Sequence, residues 1–455
     1  MRKFSNVCFS AALLVVLAVL FAGCPSVEPP LSYQCSGFIA VPLTSEGPNG
    51  LVKNVPYVCN EIILDPANRK IEGWKAFLAK EGFVRKDTCS CENKLELWRY
   101  DTAGDFNVIG IVKDPPPEVD AIGDPNGPIG ASLNYLSSLS PADETKNGDE
   151  FQVRPPTTPC RELNRVKVAI IDTGVDTVVD ISDNALLQFG WKKAGTSGRC
   201  PMPHTFGYHI PEPPLEPEDN HGHGTSVNGV ATGVPYYNAP RLNLPLEFLN
   251  IKITPDISGS GSLFDGLCGI YHAIKERANV INVSWGYMGN LDNEEIPLID
   301  NCLSAAADSN IIVVAGMGND TANLNGYAKF LPASRAEAHP NVISVGAVDN
   351  SGNRAVFSNW STNQNEMTLT ALGVDVISAY PKKLHNPPTG ISMQSGTSFA
   401  APFVTRTVAA IWSLDPARPI DQVISLIEST ADNNGGGYLI LNHQNAVAAV
   451  CNDLQ

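Results

Sequence analysis

The sequence predicts an α/β protein in three layers, with a mostly parallel sheet covered by helices on both faces and preceded by a small α+β unit. Two observations lead to this fold class. From Val166 onward, uniformly apolar segments alternate with helical patterns, as in a buried parallel sheet. Before that point, residues 55–113 show a separate mixture of strand and helix patterns. At 455 residues, the chain is long enough for both units.

The first 23 residues are typical of a secretory signal peptide. Arg2 and Lys3 precede the apolar run ALLVVLAVLF, and the small residues AGC follow it. The run is too short for a comfortable transmembrane helix. Because LFAGC resembles a bacterial lipobox, we expect Cys24 to carry a lipid, and plain secretion is the alternative. Residues 24–54 are rich in Pro, Ser and Gly, which indicates a tether.

Residues 55–113 predict the small α+β unit. The segment YVCNEIILD predicts a strand, KIEGWKAFLAKEGF an amphipathic helix, and KLELWRYD and FNVIGIVKD two further strands. Residues 114–160 contain DPPPEVDAIGDPNGPIG and then a polar segment with little periodicity. We therefore expect a linker or an irregular surface connection over residues 114–160.

Residues 161–455 predict the main α/β domain. Its strands are predicted at VKVAIID, LEFLNIKI, NVINVSW, IIVVAG and VISVGAV. Its helices are predicted at SLFDGLCGIYHAIKER, IPLIDNCLSAAAD and SFAAPFVTRTVAAIW. In sheets of this kind, functional groups gather at the carboxyl ends of the strands.

Charge and cysteine content limit the class of protein. A net charge of −16 with only 31 Lys and Arg argues against a nucleic-acid partner or an anionic membrane surface. The chain has 11 cysteines, so nine remain when Cys8 in the signal and Cys24 are set aside. After export, disulfides are expected, and an odd number leaves at least one cysteine unpaired or intermolecular. The spacing of CSC does not fit a zinc site.

Three segments each place a reactive side chain at a strand end or a helix start. In VAIIDTGVD, Asp172 ends a buried strand. In HGHGTSVNGVATG, His223 begins a predicted helix, and in SMQSGTSFAAPFV, Ser398 lies in a glycine-led turn into another predicted helix. A carboxylate, an imidazole and a hydroxyl are the groups that nucleophilic acyl transfer requires. Taken singly, each residue also fits a turn or a helix cap.

The three blocks together resemble the signature segments of the subtilisin-like serine peptidases, in the family's order of Asp, His and Ser. The resemblance extends from near Val166 to the end of the chain. It implies a three-layer subtilisin-like fold and a catalytic triad of Asp172, His223 and Ser398. His223 matches the family's Gly-His-Gly-Thr block, so His221 is expected at the rim of the site; a metal site at this His-x-His pair is the disfavoured alternative. Ser226 stands where the family often has a second His.

The resemblance also implies the remaining parts of the site. IIVVAGMGND resembles the family segment that ends in an oxyanion-binding Asn, which points to Asn319, acting with the backbone N–H of Ser398. Peptide binding is expected to add a strand between two enzyme edges, GSGS and SWG. Alone, GSGS also fits an ordinary flexible turn. Trp285 is expected to shape a side-chain pocket. The predicted substrate-binding residues are Gly259, Ser260, Gly261, Ser284, Trp285 and Gly286.

The function implied by this resemblance is that of a secreted or lipid-anchored serine endopeptidase acting on proteins or peptides. A catalytically idle surface binding lipoprotein of the same fold is the alternative. The chemistry requires no cofactor; family members often bind calcium, but the sequence does not identify ligands for it. We also expect residues 55–113 to resemble a family propeptide, a permanent accessory domain being the alternative. His272 and His339 are expected to be structural, and the acidic loop IPEPPLEPEDN to favour basic substrates.

Overall fold

Most of the regular segments predicted from the sequence are present in the structure, a computed structural model. It describes residues 36–42, 52–89, 95–100, 107–120, 130–138, 160–176, 218–233, 244–254, 259–289, 295–326, 328–384, 390–433 and 435–454. The predicted signal peptide, Cys24 and most of the acidic loop 210–220 lie outside these residues. All described residues belong to one unit, Cys35–Gln455.

The N-terminal part is an antiparallel sheet packed against short helices. Its strands pair in the order β3-β4-β2-β5, and β1 also pairs with β2. On the first helix, Trp74 and Leu78 are four residues apart and fully buried, as one face of an amphipathic helix requires. The strands are β1 (Ser36–Pro42), β2 (Val52–Leu64), β3 (Phe83–Thr88), β4 (Glu96–Tyr100) and β5 (Ala131–Ser138), and the helices are α1 (Ile71–Lys80), α2 (Val108–Lys113) and α3 (Pro117–Asp120).

The segment FNVIGIVKD forms helix α2, so the strand predicted there is wrong. Val108 and Val112 are buried four residues apart, which is the spacing of one helix face. The side chain of Asn107 accepts a hydrogen bond from the N–H of Gly110 and caps the first turn. The apolar run was too short to distinguish the helical spacing from a strand.

The stretches expected to be irregular also contain strands. Strand β1 lies within the predicted tether 24–54, and β5 lies within the predicted linker 114–160. Strand β5 pairs with β2 of the same small sheet, and its residues Leu133 and Tyr135 are buried in the core. The prediction of an irregular connection over residues 114–160 is therefore wrong for β5, because this strand is held by a partner more than 60 residues away.

The main part is a large sheet with helices on both sides. Among the described residues its strands lie in the order β17-β18-β14-β13-β11-β9-β6-β7, and all pairs except β17–β18 are parallel. These strands are β6 (Val166–Asp172), β7 (Leu246–Lys252), β9 (Val280–Val283), β11 (Ile312–Gly316), β13 (Val342–Val348), β14 (Leu369–Leu372), β17 (Asp432–Asn433) and β18 (Leu439–Ile440).

Shorter strands lie outside this sheet. Strands β10 and β12 pair with each other, as do β15 and β16, and β8 pairs with β5 of the N-terminal part. These are β8 (Ser260–Ser262), β10 (Tyr287–Gly289), β12 (Lys329–Leu331), β15 (Val376–Ala379) and β16 (Ile391–Gln394). The helices are α4 (His223–Thr232), α5 (Leu263–Lys275), α6 (Ile296–Asp308), α7 (Thr397–Leu414), α8 (Ile420–Thr430) and α9 (His443–Asp453).

Two hydrophobic cores lie on opposite faces of the sheet and confirm the three-layer α/β/α fold. Along β6, Ala169 and Ile171 face the core that contains α5 and α6, whereas Val168 and Ile170 face the core that contains α4, α7, α8 and α9. Side chains alternate across a strand, so a strand buried on both faces is apolar throughout. The first of these cores continues into the N-terminal part, where it includes Trp74.

Two disulfides are formed between described cysteines. Cys89 pairs with Cys268, and Cys160 pairs with Cys451. Cys59 is also in a disulfide. The free cysteine among the described residues is Cys302, which is buried, so the prediction that at least one cysteine stays unpaired is met within the described chain. In the part of the chain that the structure describes, no helix has the length and apolarity needed to span a bilayer.

A partly buried ion pair joins α6 to the helical turn that follows β12. Arg335 donates from Nε and Nη2 to the two carboxylate oxygens of Asp300, at 2.7 and 2.9 Å, and His339 Nε2 lies 2.8 Å from Asp300 Oδ1. His339 is therefore structural, as the sequence suggested. Partial burial would raise the pKa of Asp300, but the hydrogen bonds from His339 and Arg335 outweigh it and lower that pKa.

We expect Asp300→Asn to destabilise the fold at neutral pH by about 1–2 kcal/mol, because it removes the charge that Arg335 and His339 contact. A carboxylate with a lowered pKa stabilises the folded state above its ordinary pKa near 4, and that contribution is lost as the pH falls through its folded pKa. The difference between the two proteins should therefore shrink toward pH 3. Urea unfolding across this range measures it, with exposed Asp308→Asn on the same helix as the control. A constant difference at all pH values would contradict the charge-based explanation.

Candidate active site

An acid, an imidazole and a hydroxyl lie at three element ends of the main part. Asp172 is the last residue of β6, His223 the first of α4, and Ser398 the second of α7. The Nδ1 atom of His223 lies 2.8 Å from Oδ1 of Asp172, and both side chains are 1 % exposed. Nε2 of His223 is buried and has no hydrogen-bond partner among the described residues. Asp172 thus holds the Nδ1 side of the imidazole, and Nε2 remains available for a hydrogen bond.

The backbone just before His223 depends on glycine. Gly222 has a φ of 97°, and a Cβ at this position would lie 2.3 Å from the ring of Tyr380. Only glycine combines that φ with so close a neighbour. The Gly-His pair of the sequence motif therefore has a steric reason in this fold.

Ser398 makes reciprocal hydrogen bonds with Ser284, which follows β9. The hydroxyl of Ser398 donates to the carbonyl of Ser284 at 3.1 Å, and the hydroxyl of Ser284 donates to the carbonyl of Ser398 at 2.8 Å. In a regular helix that carbonyl would accept from residue 402, but Pro402 has no N–H. The proline thus frees the carbonyl that Ser284 binds. The ring of Phe399, the next residue, is 5.2 Å from the ring of His223.

Behind Ser284 lies a buried chain of hydrogen bonds. Thr405 Oγ1 donates to Oδ1 of Asn282 at 2.9 Å, and Nδ2 of Asn282 donates to Oγ of Ser284 at 2.8 Å. Thr405 lies on α7, as Ser398 does. The series of hydrogen bonds therefore starts on α7, passes through Asn282 of β9 and returns to α7. A connected and fully satisfied set of this kind fixes side-chain positions.

Asp219 organises the loop between the acid and the imidazole. Its carboxylate accepts hydrogen bonds from the hydroxyls of Thr173 and Thr225 at 2.9 and 2.7 Å and from the N–H groups of His221 and Gly222 at 3.0 and 2.7 Å. Burial would raise the pKa of Asp219, but the hydrogen bonds from Gly222, Thr225 and His221 outweigh it and lower that pKa. The loop after Asp172 and the start of α4 are thereby held together.

Asn319 lies beside the turn that leads into Ser398. Its side-chain oxygen accepts a hydrogen bond from the N–H of Thr397 at 2.9 Å. This bond fixes which end of the amide is the oxygen, so the other end is the NH₂ donor. Asn359 stabilises the loop that follows Asn319. Its Oδ1 accepts hydrogen bonds from the N–H groups of Asp320 and Ala322, both at 2.9 Å.

The predicted substrate edge GSGS is paired with the N-terminal part of the chain. Ser260–Ser262 form β8, which pairs antiparallel with β5, with Ser137 opposite Gly261. Gly259 lies against His221, whose Nε2 would be 2.6 Å from a Cβ there. The ring of His221 is 6.2 Å from that of His223, so His221 does lie next to the site.

The second predicted edge, SWG, follows β9. Ser284 contacts Ser398 as described, and Gly286 lies against Phe330 and the carbonyl of Leu331. Trp285 is 2 % exposed, and its ring lies over Gly266 of α5 within the core. It therefore has no open ring face with which to line an exposed pocket.

The site contains several polar residues that the sequence did not indicate, but no cluster of metal ligands is found in the described chain. Within those residues, no group of three or more His, Cys, Asp or Glu side chains is arranged to hold a metal ion. Sequence reasoning missed Asp219, Asn282, Asn359 and Thr405. One signal was available: Asn282 is an amide in an otherwise apolar strand, VINV. His272 is buried on α5, as expected of a structural residue, and burial lowers its pKa.

Comparison with known proteins gives a consistent result. The profile of the subtilase family, peptidase S8, matches residues 164–445. The chain is 28 % identical to a cell wall-associated protease of Bacillus subtilis (strain 168), over 60 % of this chain and 26 % of that protein. It is 32 % identical to subtilisin DY of Bacillus licheniformis, over 48 % of this chain and 74 % of that protein. The crystal structure of a lanthipeptide protease is similar with a TM-score of 0.48 and 24 % identity, over 62 % of this chain and 87 % of that chain.

The region that matches this chain makes up different shares of these proteins. The chain spans about a quarter of the length of the cell wall-associated protease and about three quarters of that of subtilisin DY. The family profile, however, covers more than half of the present chain and includes all three blocks that carry Asp172, His223 and Ser398. The chain belongs to the subtilase family.

Proposed function

We propose that this protein is a serine endopeptidase in which Asp172, His223 and Ser398 form the catalytic triad. The observation that carries the proposal is the buried 2.8 Å contact between Asp172 and Nδ1 of His223, with Ser398 at the neighbouring helix start. Asp172 holds the Nδ1–H tautomer, so Nε2 is unprotonated and can take the proton of the Ser398 hydroxyl. The proposal requires the Ser398 hydroxyl to exchange its hydrogen bond to Ser284 for one to His223, by rotation about χ1.

The reaction then follows the chemistry of acyl transfer. The oxygen of Ser398 attacks the peptide carbonyl, while Nε2 of His223 accepts the hydroxyl proton and later gives it to the leaving amine. The resulting acyl-enzyme is hydrolysed by water along the reverse path. Negative charge on the carbonyl oxygen is stabilised by the side-chain NH₂ of Asn319 and the backbone N–H of Ser398. The hydrogen bond from Thr397 to Asn319 supports this orientation of the amide.

Substrate is proposed to bind as an added strand between Gly259–Gly261 and Ser284–Gly286. Main-chain pairing supplies affinity in this mode of recognition. The pairing of β5 with β8 supports the idea, because it shows an extended segment accepted at this edge. It also supports a propeptide-like role for the N-terminal part, which occupies the edge that a substrate would need.

The protein is proposed to act outside the cytoplasm, either secreted or anchored through a lipid on Cys24. The signal-like first 23 residues support export, and the disulfides between described cysteines fit an oxidising compartment. Its substrates are accordingly proteins or peptides encountered at or beyond the cell envelope.

The test is a peptide-bond assay that also identifies the nucleophile. The chain, intact or cut between residues 139 and 159, is incubated with unfolded casein, and new amino termini are counted by mass spectrometry. A fluorophosphonate should block the cut chain and be recovered on the peptide that contains Ser398. Absence of hydrolysis together with absence of labelling would favour the idle binding protein instead.

A further inference from the structure

A buried disulfide joins the N-terminal part of the chain to the main part. Cys89 directly follows β3, and Cys268 lies on α5, 179 residues later. Their Cα atoms are 5.4 Å apart, which is in the ordinary range for a disulfide. Both residues are only 2 % exposed. A thiol in solution therefore has little access to either sulfur while the protein is folded.

A second disulfide lies on the other side of the linker. After β5, the described chain resumes at Cys160, which is bonded to Cys451 of α9. Residues 139–159 thus connect the N-terminal part, which contains Cys89, to the main part, which contains Cys160, Cys268 and Cys451. Cutting any peptide bond in this stretch leaves both disulfides intact, so the two fragments remain covalently joined through Cys89 and Cys268.

Noncovalent contacts also hold β5 in register on the main part. Asn134 Oδ1 accepts from the N–H of Phe264 at the start of α5 at 3.1 Å, and Asn134 Nδ2 donates to Glu61 at 2.6 Å. The rings of Tyr135 and Tyr287 stack with centroids 4.9 Å apart. Tyr135, Phe264 and Tyr287 belong to a hydrophobic core that is continuous between the two parts.

We propose that the N-terminal part, residues 36–138, is not released when the linker is cut, and remains a disulfide-bonded subunit with β5 paired to β8. Covalent retention does not depend on the proposed peptidase function, whereas the persistent block of the substrate edge rests on it. A lipid at Cys24 would then stay attached to the peptidase after cleavage.

Covalent retention of the N-terminal part changes how inhibition of the substrate edge by β5 depends on protein concentration. A free propeptide dissociates as the protein is diluted, but a tethered segment keeps a fixed local concentration, on the order of millimolar for a short connection. A substrate must then compete with β5 at every protein concentration. The cut protein is accordingly expected to hydrolyse peptides more slowly than a protein whose N-terminal part has been degraded, or released by opening the bond between Cys89 and Cys268.

The covalent part is tested by electrophoresis without any need for activity. The chain from residue 25 onward carries Ser398→Ala, Cys91→Ser and Cys200→Ser, so that neither self-cleavage nor a bridge outside the described residues contributes. A recognition site for a specific viral protease is inserted after Lys146 and cut. We expect one band under denaturing, non-reducing conditions and two bands after reduction. Two bands without reductant would overturn the proposal.

Matched cysteine variants identify the bond. Adding Cys89→Ser and Cys268→Ser should give two bands without reductant, whereas adding Cys160→Ser and Cys451→Ser should still give one. If either pair prevents folding, mass spectrometry of the parent protein decides the point, since a peptide linked through Cys89 and Cys268 is required. Recovery of these cysteines in unlinked peptides would contradict the proposal.

The block is tested in the same proteins with Ser398 restored. After cutting and dilution to nanomolar concentration, the variant without Cys89 and Cys268 should hydrolyse peptides at least about tenfold faster than the parent. Equal, measurable rates would show that the retained part does not block the edge. No hydrolysis by either protein would count against the proposed function, while the electrophoresis would still decide retention.

Discussion

Ser398→Ala is expected to lower peptide hydrolysis by about 10⁵- to 10⁶-fold while leaving the fold intact. The substitution removes the hydroxyl that is proposed to form the acyl-enzyme. The side chain of Ser398 donates one hydrogen bond, to the carbonyl of Ser284, so its loss leaves the buried chain through Asn282 in place. Initial rates with a fluorogenic peptide, measured on the chain cut between residues 139 and 159, provide the comparison.

The control is Ser395→Ala, three residues earlier. Its hydroxyl accepts a hydrogen bond from the N–H of Asp375, and it has no role in the proposed mechanism. We expect its rate to stay within about twofold of the parent, since single surface changes away from a site have small effects. Equal activity of the parent and Ser398→Ala would exclude a mechanism in which Ser398 is the nucleophile.

Asn319→Ala is expected to lower kcat by about 10²- to 10³-fold with little change in KM. In the proposed mechanism the NH₂ group of Asn319 acts on charge that develops only in the transition state, so ground-state binding of substrate should be largely preserved. Asn319→Asp retains the oxygen that accepts from Thr397 but replaces the donor by a negative charge, and its kcat should fall at least as far. Steady-state kinetics on the cut chain separate kcat from KM.

Asn323→Ala tests whether the loop itself is responsible. Asn323 is an exposed residue of the same loop, and its side chain accepts from the N–H of Asn325. Its kcat should therefore match that of the parent. A rise in KM with unchanged kcat in Asn319→Ala would instead assign this residue to substrate binding.

The sequence predicted the main domain well because its pattern is local. Strands β6 and β13 begin and end where their apolar runs do, and helix α6 coincides with IPLIDNCLSAAAD. The N-terminal part was predicted less well. Strand β5 lies in a region of Pro, Gly and polar residues, and it forms because β2 and β8 pair with its two edges. Pairing with segments so distant along the chain leaves no periodic signal around residue 135.

In the candidate site, too, the sequence indicated residues in local motifs and missed residues whose roles depend on distant contacts. Asp172, His223 and Ser398 were found because each lies in a short motif, and the structure brings the first two into contact. Asp219 and Thr405 were missed because their roles arise from contacts across the fold, such as the bond from Thr405 to Asn282, 123 residues away. Nothing in the local sequence of α7 distinguishes Thr405 from Thr407, which instead lies beside His443.

Cys302 offers a way to follow how this protein opens. It is a free thiol within α6, fully buried, and burial raises its pKa. Thiolate is the form that alkylating reagents attack, so the native molecule protects this sulfur both by exclusion of reagent and by suppressed ionisation. The rate at which iodoacetamide modifies Cys302 would therefore report how often the helical layer around α6 opens to solvent.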